Sequence, residues 1–568
     1  MVNPIGFVPI GVHWWLEVFA FVNRRDAVLC SPMAVAGTQR ISTRATGVVG
    51  AAILCSRVLG LIREVVFAAM FGASRNMDAF LTAFRAPNML RDLFAEGALS
   101  TAFVTTFSRR IATEGERSAW ELASKVATLT LIFMSVVSLL GVVFAPVLID
   151  ILAPGFPAEK AELTVLLTRI MFPFILLVSL AALVMGMLNA RDVFGPPAMA
   201  SAFFNIGSII GGVTLCYWLD PQPEWWHPHF GERGLVGLSI ATLIGGLLQL
   251  AVQVPSLRRV GFRFHPDFKW RDPGVRTILG MMGPAMIAAS AVQVNVAVNS
   301  IFASGLGDGP IAWLNIAFRL MQLPLGIFGV AVATVTLPLV SRSAAVGNTS
   351  EFRYALAHSV RLVLLLTIPA AIGLIILAEP IIQLIYQHGR FTHYATIQTA
   401  AALRFYAIGL AGYSAVKVLA PAFYALDKRN LPMFVSLTSI AVNFSLNWFF
   451  TYQLHLGHRG LALSTSLVAI TNFFFLYSMM RHYTKGLETG TMLLTVGKLL
   501  LAGSVLAVIC WLASNFFFMR YPLAPGWQNA LVMLATICCG ASAFFSAAYL
   551  LRVAEVHDLV ELVRRRFR

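Results

Sequence analysis

The sequence predicts an all-α polytopic membrane protein of about 14 transmembrane helices, built as two pseudo-symmetric six-helix lobes plus two extra C-terminal helices. Three observations predict it. The 568 residues are 58% hydrophobic and only 12% charged, with a mean hydropathy of +0.77; a soluble domain of this size would carry about 25% charged residues. Apolar runs long enough to span a bilayer, ~20 residues each, recur along the whole chain. Landmarks of the first half return in the second at a displacement of roughly 234 residues.

The first 45 residues form an N-terminal extension. MVNPIGFVPIGVHWWLEVFAFVNRRD holds an apolar stretch with no basic residue before it, which makes a poor secretory signal. Met33 opens MAVAGTQRISTR, a basic lead into the first convincing span, so residues 1–32 are expected to be an over-long gene reading. Six spans centred near residues 58, 90, 138, 176, 207 and 246 make the first lobe, 46–270. Six more, near 290, 326, 365, 410, 442 and 471, make the second, 271–485. Two last spans, near 504 and 538, and the basic tail VRRRFR fill 486–568.

The connecting loops alternate in charge. SRRIATEGERSAWELASK, PSLRRVGFRFHPDFKWRDPGVR, ALDKRN and the tail belong to a basic set, and APGFPAEKAE, SGLGDGP and YQHGRFTHYA to the other. Loops rich in Lys and Arg stay on the cytoplasmic side, so both ends of the core are expected there. This accounts for the net charge of +16 and leaves no nucleic-acid partner expected. Trp225 and Trp226 suit the opposite interface.

AFRAPNMLRDLF (Ala83–Phe94) aligns with AFRLMQLPLGIF (Ala317–Phe328), and Arg169, Asp192 and Pro197 return as Arg404, Asp427 and Pro432. Six spans per displacement is an even number, so both copies enter from the same side. That predicts two bundles related by an axis along the membrane normal, a transporter architecture.

Charge at membrane depth is costly and faces a cavity or a partner. The first span carries Ser56, Arg57, Arg63 and Glu64; the second carries Asp78, Arg85, Asn88, Arg91, Asp92 and Glu96; the eighth carries Arg319; Lys417 lies in the tenth. At 100° per residue, Asp78, Arg85, Asp92 and Glu96 share one face, while Asn88 and Arg91 point elsewhere. Five arginines against four carboxylates leave a cationic surplus, which suits an anionic ligand, phosphate above all. Lys417 either snorkels or lines the second bundle. The six cysteines read as small buried hydrophobes. No HExxH, P-loop, GxSxG or paired CxxC is present, so neither an enzyme nor a metal or cofactor site is expected.

SRVLGLIREVVFAAMFGAS and MDAFLTAFRAPNMLRDLFAEGALSTAFV resemble the opening signature of the MurJ (MviN) lipid II flippases of bacteria, and WLNIAFRLMQLPLGIFGVAVATVTLPLVS, YQHGRFT and VKVLAPAFYALDKRNLP resemble its later landmarks. The resemblance covers about residues 46 to 560. It implies the fold of the multidrug/oligosaccharidyl-lipid/polysaccharide exporter superfamily, a bacterial inner-membrane location and lipid II, an undecaprenyl-pyrophosphate-linked muropeptide, as cargo. It implies functional roles for Arg57, Arg63, Asp78, Arg91 and Arg319, and positions the family uses at Ser56, Asn88, Glu96 and Lys417. Glu64, Asp92 and Gln322 depart from its pattern. Alternating access driven by the membrane potential or a monovalent cation is the implied mechanism, with membrane lipids and peptidoglycan-synthesis or division proteins as further partners. A flippase for another polyprenyl-pyrophosphate glycan fits the same charges. A drug exporter would favour acidic groups, a membrane enzyme on the same lipid would need longer outer loops, and a scaffold would leave the arginines unexplained.

Overall fold

A computed structural model describes residues 43–222, 229–428, 430–518 and 526–566. The N-terminal extension with Met33, and Trp225 and Trp226, lie outside the described residues. Within them the chain is helical. The long rods are α1 Thr43–Phe71, α2 75–114, α3 Glu116–Val143, α4 Ala158–Asn189, α5 Gly195–Leu219, α6 Glu232–Arg259 and α7 Pro273–Ser304. After them come α8 Pro310–Ala345, α9 Thr349–Ile376, α10 (His393–Ile408 and Leu410–Ala425), α11 Asn430–Gln453, α12 His458–Tyr483, α13 Thr489–Phe518 and α14 Gly526–Leu550. Ten of these rods are long and apolar enough to cross a membrane among the described residues, eleven when bent α10 is taken as one span. The chain is a multi-pass membrane protein. Of the rods outside that set, α1 and α2 carry most of the charged residues that the sequence places at membrane depth.

The internal repeat shows in the irregularities. A π-helical turn interrupts α2 at Asp92–Leu99 and α8 at Leu325–Gly329. Short helices Ala145–Leu152 and Ala378–Tyr386 follow the third rod of each half. A break after Met171 splits α4, and one at Gly409 splits α10, with a 43° bend. Asp192 and Asp427 both adopt left-handed backbone, φ 58° and 56°. Each lets the next N–H turn back onto a helix-end carbonyl, Val193 to Leu188 and Lys428 to Phe423, both at 2.9 Å. This is the Schellman ending, and aspartate tolerates it better than most residues. A turn geometry that few residues accept is a reason for the same residue to stand at both places.

The segment read as the loop SRRIATEGERSAWELASK is helix almost throughout. α2 runs to Glu114 and α3 starts at Glu116, with only Gly115 between them at φ 86°. At ~1.5 Å per residue these rods outreach the ~30 Å apolar layer. Polarity marked the segment as outside the membrane; it did not mark it as unwound.

The start of α7 is tied to these extensions. Asp272 caps α7 by accepting from Gly274 N at 2.8 Å, and also accepts from Arg110 Nη1 of α2 at 2.9 Å and Lys125 Nζ of α3 at 2.8 Å. Burial pushes its carboxyl up, but the hydrogen bonds from Lys125, Arg110 and Gly274 outweigh that and hold it well below the usual carboxylate range. A depressed carboxylate contributes stability in full above its unfolded pKa, about 3.9, and loses it as pH falls toward the folded value. Asp272→Asn is therefore expected to lower Tm at pH 5–8, with the gap to wild type closing in acid below about pH 4. An equal gap at pH 3 and pH 7 in melting curves would refute this.

Candidate functional site

A cavity of about 610 Å³, its open mouth included, lies where α1, α2, α6 and α8 meet. Phe67, Phe80, Leu81, Phe84 and Ile316 form apolar walls; Arg63, Glu64, Thr242, Asn315 and Arg319 supply its polar groups. α1 and α8 run antiparallel here in heptad register. Glu64 Oε1 forms an ion pair with Arg319 Nη1 across the cavity. Seven residues back along α1, the Arg57 guanidinium lies over Gly326, seven residues forward along α8. Sites seven apart stay on one face of a helix, so Arg57 follows the same α1–α8 seam about two turns from the Glu64–Arg319 pair; Arg63 and Arg319 line the cavity, and Arg57 is not among its lining residues.

The electrostatics leave positive charge over. Arg63 Nη2 is 3.9 Å from Glu64 Oε1, so Glu64 stands between two guanidinium groups. Arg63 also lies over the Phe204 ring at 5.1 Å, and its buried Nε has no hydrogen-bond partner among the described residues. Buried donors are almost always satisfied. Arg57 is exposed and has no ion-pair partner among the described residues. Two guanidinium groups against one carboxylate at the cavity, with Arg57 farther along the seam, suit a ligand with two linked anionic groups, which planar forks bind bidentately.

The face of α2 drawn from sequence is real over Arg85 and Asp92, but it packs on α7 instead of lining the cavity. Arg85 Nη1 donates to Ser300 Oγ, and seven residues on Asp92 Oδ2 accepts from Gln293 Nε2 at 3.2 Å. Arg91 points away from that face yet reaches Asp92 Oδ1 at 2.6 Å. Pro87 sits inside continuous helix, and the phase shift comes one turn later at the π-turn. Asn88 is half-buried on α2. The Glu96 side chain lies outside the described residues.

Asp78 requires a correction. It neither holds an arginine nor lines the cavity. Fully buried, it caps α8, accepting from Gly309 N at 2.7 Å and Ala312 N at 2.9 Å, and it binds Lys160 Nζ of α4 at 3.2 Å. Lys160 also reaches Asp308 at 2.8 Å and lies over Phe156 at 4.2 Å. The physical reason is the end of α8, whose free N–H groups attract a carboxylate. Sequence reasoning missed Lys160 because it sits in the polar stretch APGFPAEKAE, where a lysine reads as solvated. Nearby, Arg390 N donates to Ala69 O at 2.8 Å, and Gly155 N donates to Ser304 Oγ at 3.1 Å. These contacts join the two halves at one end of the molecule.

Ser56 is half-buried, and its carbonyl accepts from Asn205 Nδ2 at 3.1 Å. Lys417 is exposed on α10 and is not among the cavity-lining residues. Gly326 is a site residue that sequence reasoning passed over. A Cβ there would stand 2.6 Å from Arg57 Nη1, against the far end of a flexible side chain. Gly326→Ala is thus expected to leave Tm within about 2 °C of wild type, since surface-like changes cost within ±0.5 kcal/mol, while displacing the Arg57 guanidinium and slowing several-fold the transport that the resemblance implies. A variant with lost stability and normal transport would reverse that assignment.

Residues 67–524 match the family model described as "Lipid II flippase MurJ". The chain is 35% identical over 425 residues to the probable lipid II flippase MurJ of Buchnera aphidicola subsp. Acyrthosiphon pisum, covering 74% of this chain and 80% of that protein. It is 33% identical over 521 residues to the probable lipid II flippase MurJ of Vibrio cholerae, covering 89% and 95%. The lipid II flippase MurJ of Burkholderia cenocepacia is 33% identical over 505 residues, covering 88% and 95%. Among solved structures, a lipid II flippase MurJ in an inward closed conformation superposes with a TM-score of 0.70 at 26% identity, over 88% of this chain and 98% of that one. An inward-facing multidrug resistance MATE transporter of the MOP superfamily shares the fold, with a TM-score of 0.63 at 16% identity, over 78% of this chain and 99% of that one.

Proposed function

The chain belongs to the lipid II flippase MurJ family, and from that premise we propose that its two lobes, residues 46–270 and 271–485, rock about the Arg63–Arg319 cavity to carry lipid II from the cytoplasmic to the outer leaflet of the bacterial inner membrane. It is a transporter of lipid II and not an enzyme. The observation that carries the mechanism is the α1–α8 seam, where Arg63 and Arg319, one from each half, flank one carboxylate and Arg57 follows about two turns along.

The pyrophosphate meets the arginines, and Glu64 is the group it displaces. While the cavity is empty, Glu64 neutralises Arg63 and Arg319 in part, so the site is not a bare cluster of like charges. An entering pyrophosphate offers more acceptor oxygens than one carboxylate and takes over both forks. The disaccharide–pentapeptide headgroup needs more room than this cavity gives, so loading demands that the lobes part. The polyprenyl tail stays in lipid, along a groove assigned to α13 and α14.

We assign Asp272 and both ends of the core to the cytoplasm, an orientation that the basic loops support. The contacts of Asp78, Lys160, Arg390 and Gly155 then form the outer closure. Opening outward breaks those contacts, and the inward return restores them. The cargo headgroup is negative, so an inside-negative potential favours its outward movement by about 2.3 kcal/mol per charge per 100 mV. We assign the potential as the driving force, with no cofactor. Peptidoglycan-synthesis proteins are the partners that would consume the delivered lipid.

The test is complementation in cells whose own lipid II flippase can be shut off. The expected result is restored lipid II in the outer leaflet, and its loss when the potential is collapsed. A chain that inserts and moves no lipid II would redirect the assignment to another polyprenyl-pyrophosphate glycan.

A further inference from the structure

The segment between α6 and α7, residues 260–272, has no regular secondary structure, yet both its ends are held. At one end Phe262 is buried against Trp120 of α3, with ring centroids 5.4 Å apart. At the other, Asp272 is clamped by Arg110 and Lys125. Between them the backbone climbs α3. Asp267 N donates to Thr128 Oγ1 at 3.2 Å, eight residues beyond Trp120, which is ~12 Å along the helix axis. From there it returns to Lys125. The turning point therefore sits one helical turn short of Leu131, Ile132 and Phe133, where the exposed apolar flank of α3 begins. That is the level of a lipid headgroup.

What the turn presents there is unusual for a cytoplasmic loop. Phe264, Phe268 and Trp270 are 46%, 63% and 54% exposed, with no core to enter. Exposed Arg263, Lys269 and Arg271 alternate with them, and the Arg271 guanidinium lies over the Trp270 ring at 5.0 Å. The one carboxylate within the turn, Asp267, is engaged by the backbone N–H of Lys269 at 3.0 Å. Aromatic rings favour the bilayer interface, and basic residues beside them favour anionic lipid.

We propose that residues 260–272 form a docking surface for the headgroups of anionic phospholipid in the leaflet they face. The rings enter the interface, and Arg263, Lys269 and Arg271 bind the phosphates. Docking here fixes the level of the first turn of α7 through Asp272. The surface is separate from the transport cavity and does not rest on the transport reading.

The test uses the full chain in vesicles of phosphatidylcholine, alone or mixed with phosphatidylglycerol, with bromine carried near the headgroup end of the acyl chains of one lipid or the other. The emission of Trp270 is isolated as the difference between wild type and Trp270→Phe. Brominated phosphatidylglycerol is expected to quench it more strongly than brominated phosphatidylcholine at equal mole fraction. Each basic residue at such a surface is worth roughly a five-fold preference, so Arg263→Glu, Lys269→Glu and Arg271→Glu together should erase the difference in a protein of unchanged melting temperature. If that variant does not fold, Lys269→Gln and a salt titration of the wild type replace it, and salt should shrink the preference. Equal quenching by both lipids, persistence of the preference in the charge-reversed variant, or accessibility of Trp270 to aqueous iodide without lipid quenching would each overturn the proposal. So would a preference confined to added lipid II. The readout needs no flipping, so a chain that moves no lipid II can still pass.

Discussion

Arg319→Ala is expected to cut the outward movement of lipid II by roughly 30- to 1,000-fold while leaving an inserted, folded protein. A charge-assisted bidentate contact removed from a partly desolvated site costs about 2–4 kcal/mol. Arg319 is the sole cavity arginine contributed by α8, so its loss leaves the pyrophosphate gripped from one half alone. Glu64 is not stranded, because Arg63 remains at 3.9 Å, and that is why folding should survive. Arg319→Lys keeps the charge and loses the planar fork, so it should fall between wild type and alanine. Arg404→Ala is the control. Its pair with Glu379 is half-exposed, at 45% and 28%, and such pairs are worth about 0–1 kcal/mol. The measurement is the outer-leaflet fraction of lipid II in cells depleted of their own flippase, at matched expression. Near-normal transport by Arg319→Ala would make that arginine structural and remove the basis for a two-sided grip.

Asp78→Ala is expected to have the largest effect on stability, a loss of about 3–5 kcal/mol, because it leaves a fully buried lysine with one partner fewer. It also strips the cap from α8, about 1 kcal/mol by itself. The same change should loosen the outer closure, since Asp78 joins α2 to both α4 and α8. Asp78→Asn with Lys160→Met separates the two roles. The amide oxygen can keep only one of the two cap bonds, to Gly309 N or Ala312 N, but no buried charge is left unpaired, so part of the stability should return, to within about 1–3 kcal/mol of wild type. Melting curves report the first effect. Modification of a cysteine placed at exposed Gly305, where a Cβ meets nothing nearer than 3.8 Å, by a membrane-impermeant reagent reports the second. Wild-type melting with unchanged labelling in Asp78→Ala would show that this carboxylate holds nothing together.

Much of the candidate site was legible because intramembrane charge is rare. Arg57, Arg63 and Arg319 could be picked out one by one, as groups too costly to face lipid. Which of the charges would be consumed by neighbours was not legible. Arg85 and Asp92 face α7, and Asp78 faces Lys160, because of how helices far apart in sequence meet. No spacing within α2 encodes that.

Hydropathy and repetition determined that the chain is a bundle of about fourteen helices in two related halves, since apolar length and periodicity are local properties of the chain. They did not determine the π-turns at Asp92–Leu99 and Leu325–Gly329. Those re-aim one side of a helix to suit a partner and depend on packing. Nor did they show that polar stretches such as 109–125 are helical, because solvent exposure lowers hydropathy without breaking a helix. Only the tertiary structure decided which cations stay free for a ligand. A charge is neutralised by what stands within a few ångströms of it, and that neighbourhood is assembled by the fold.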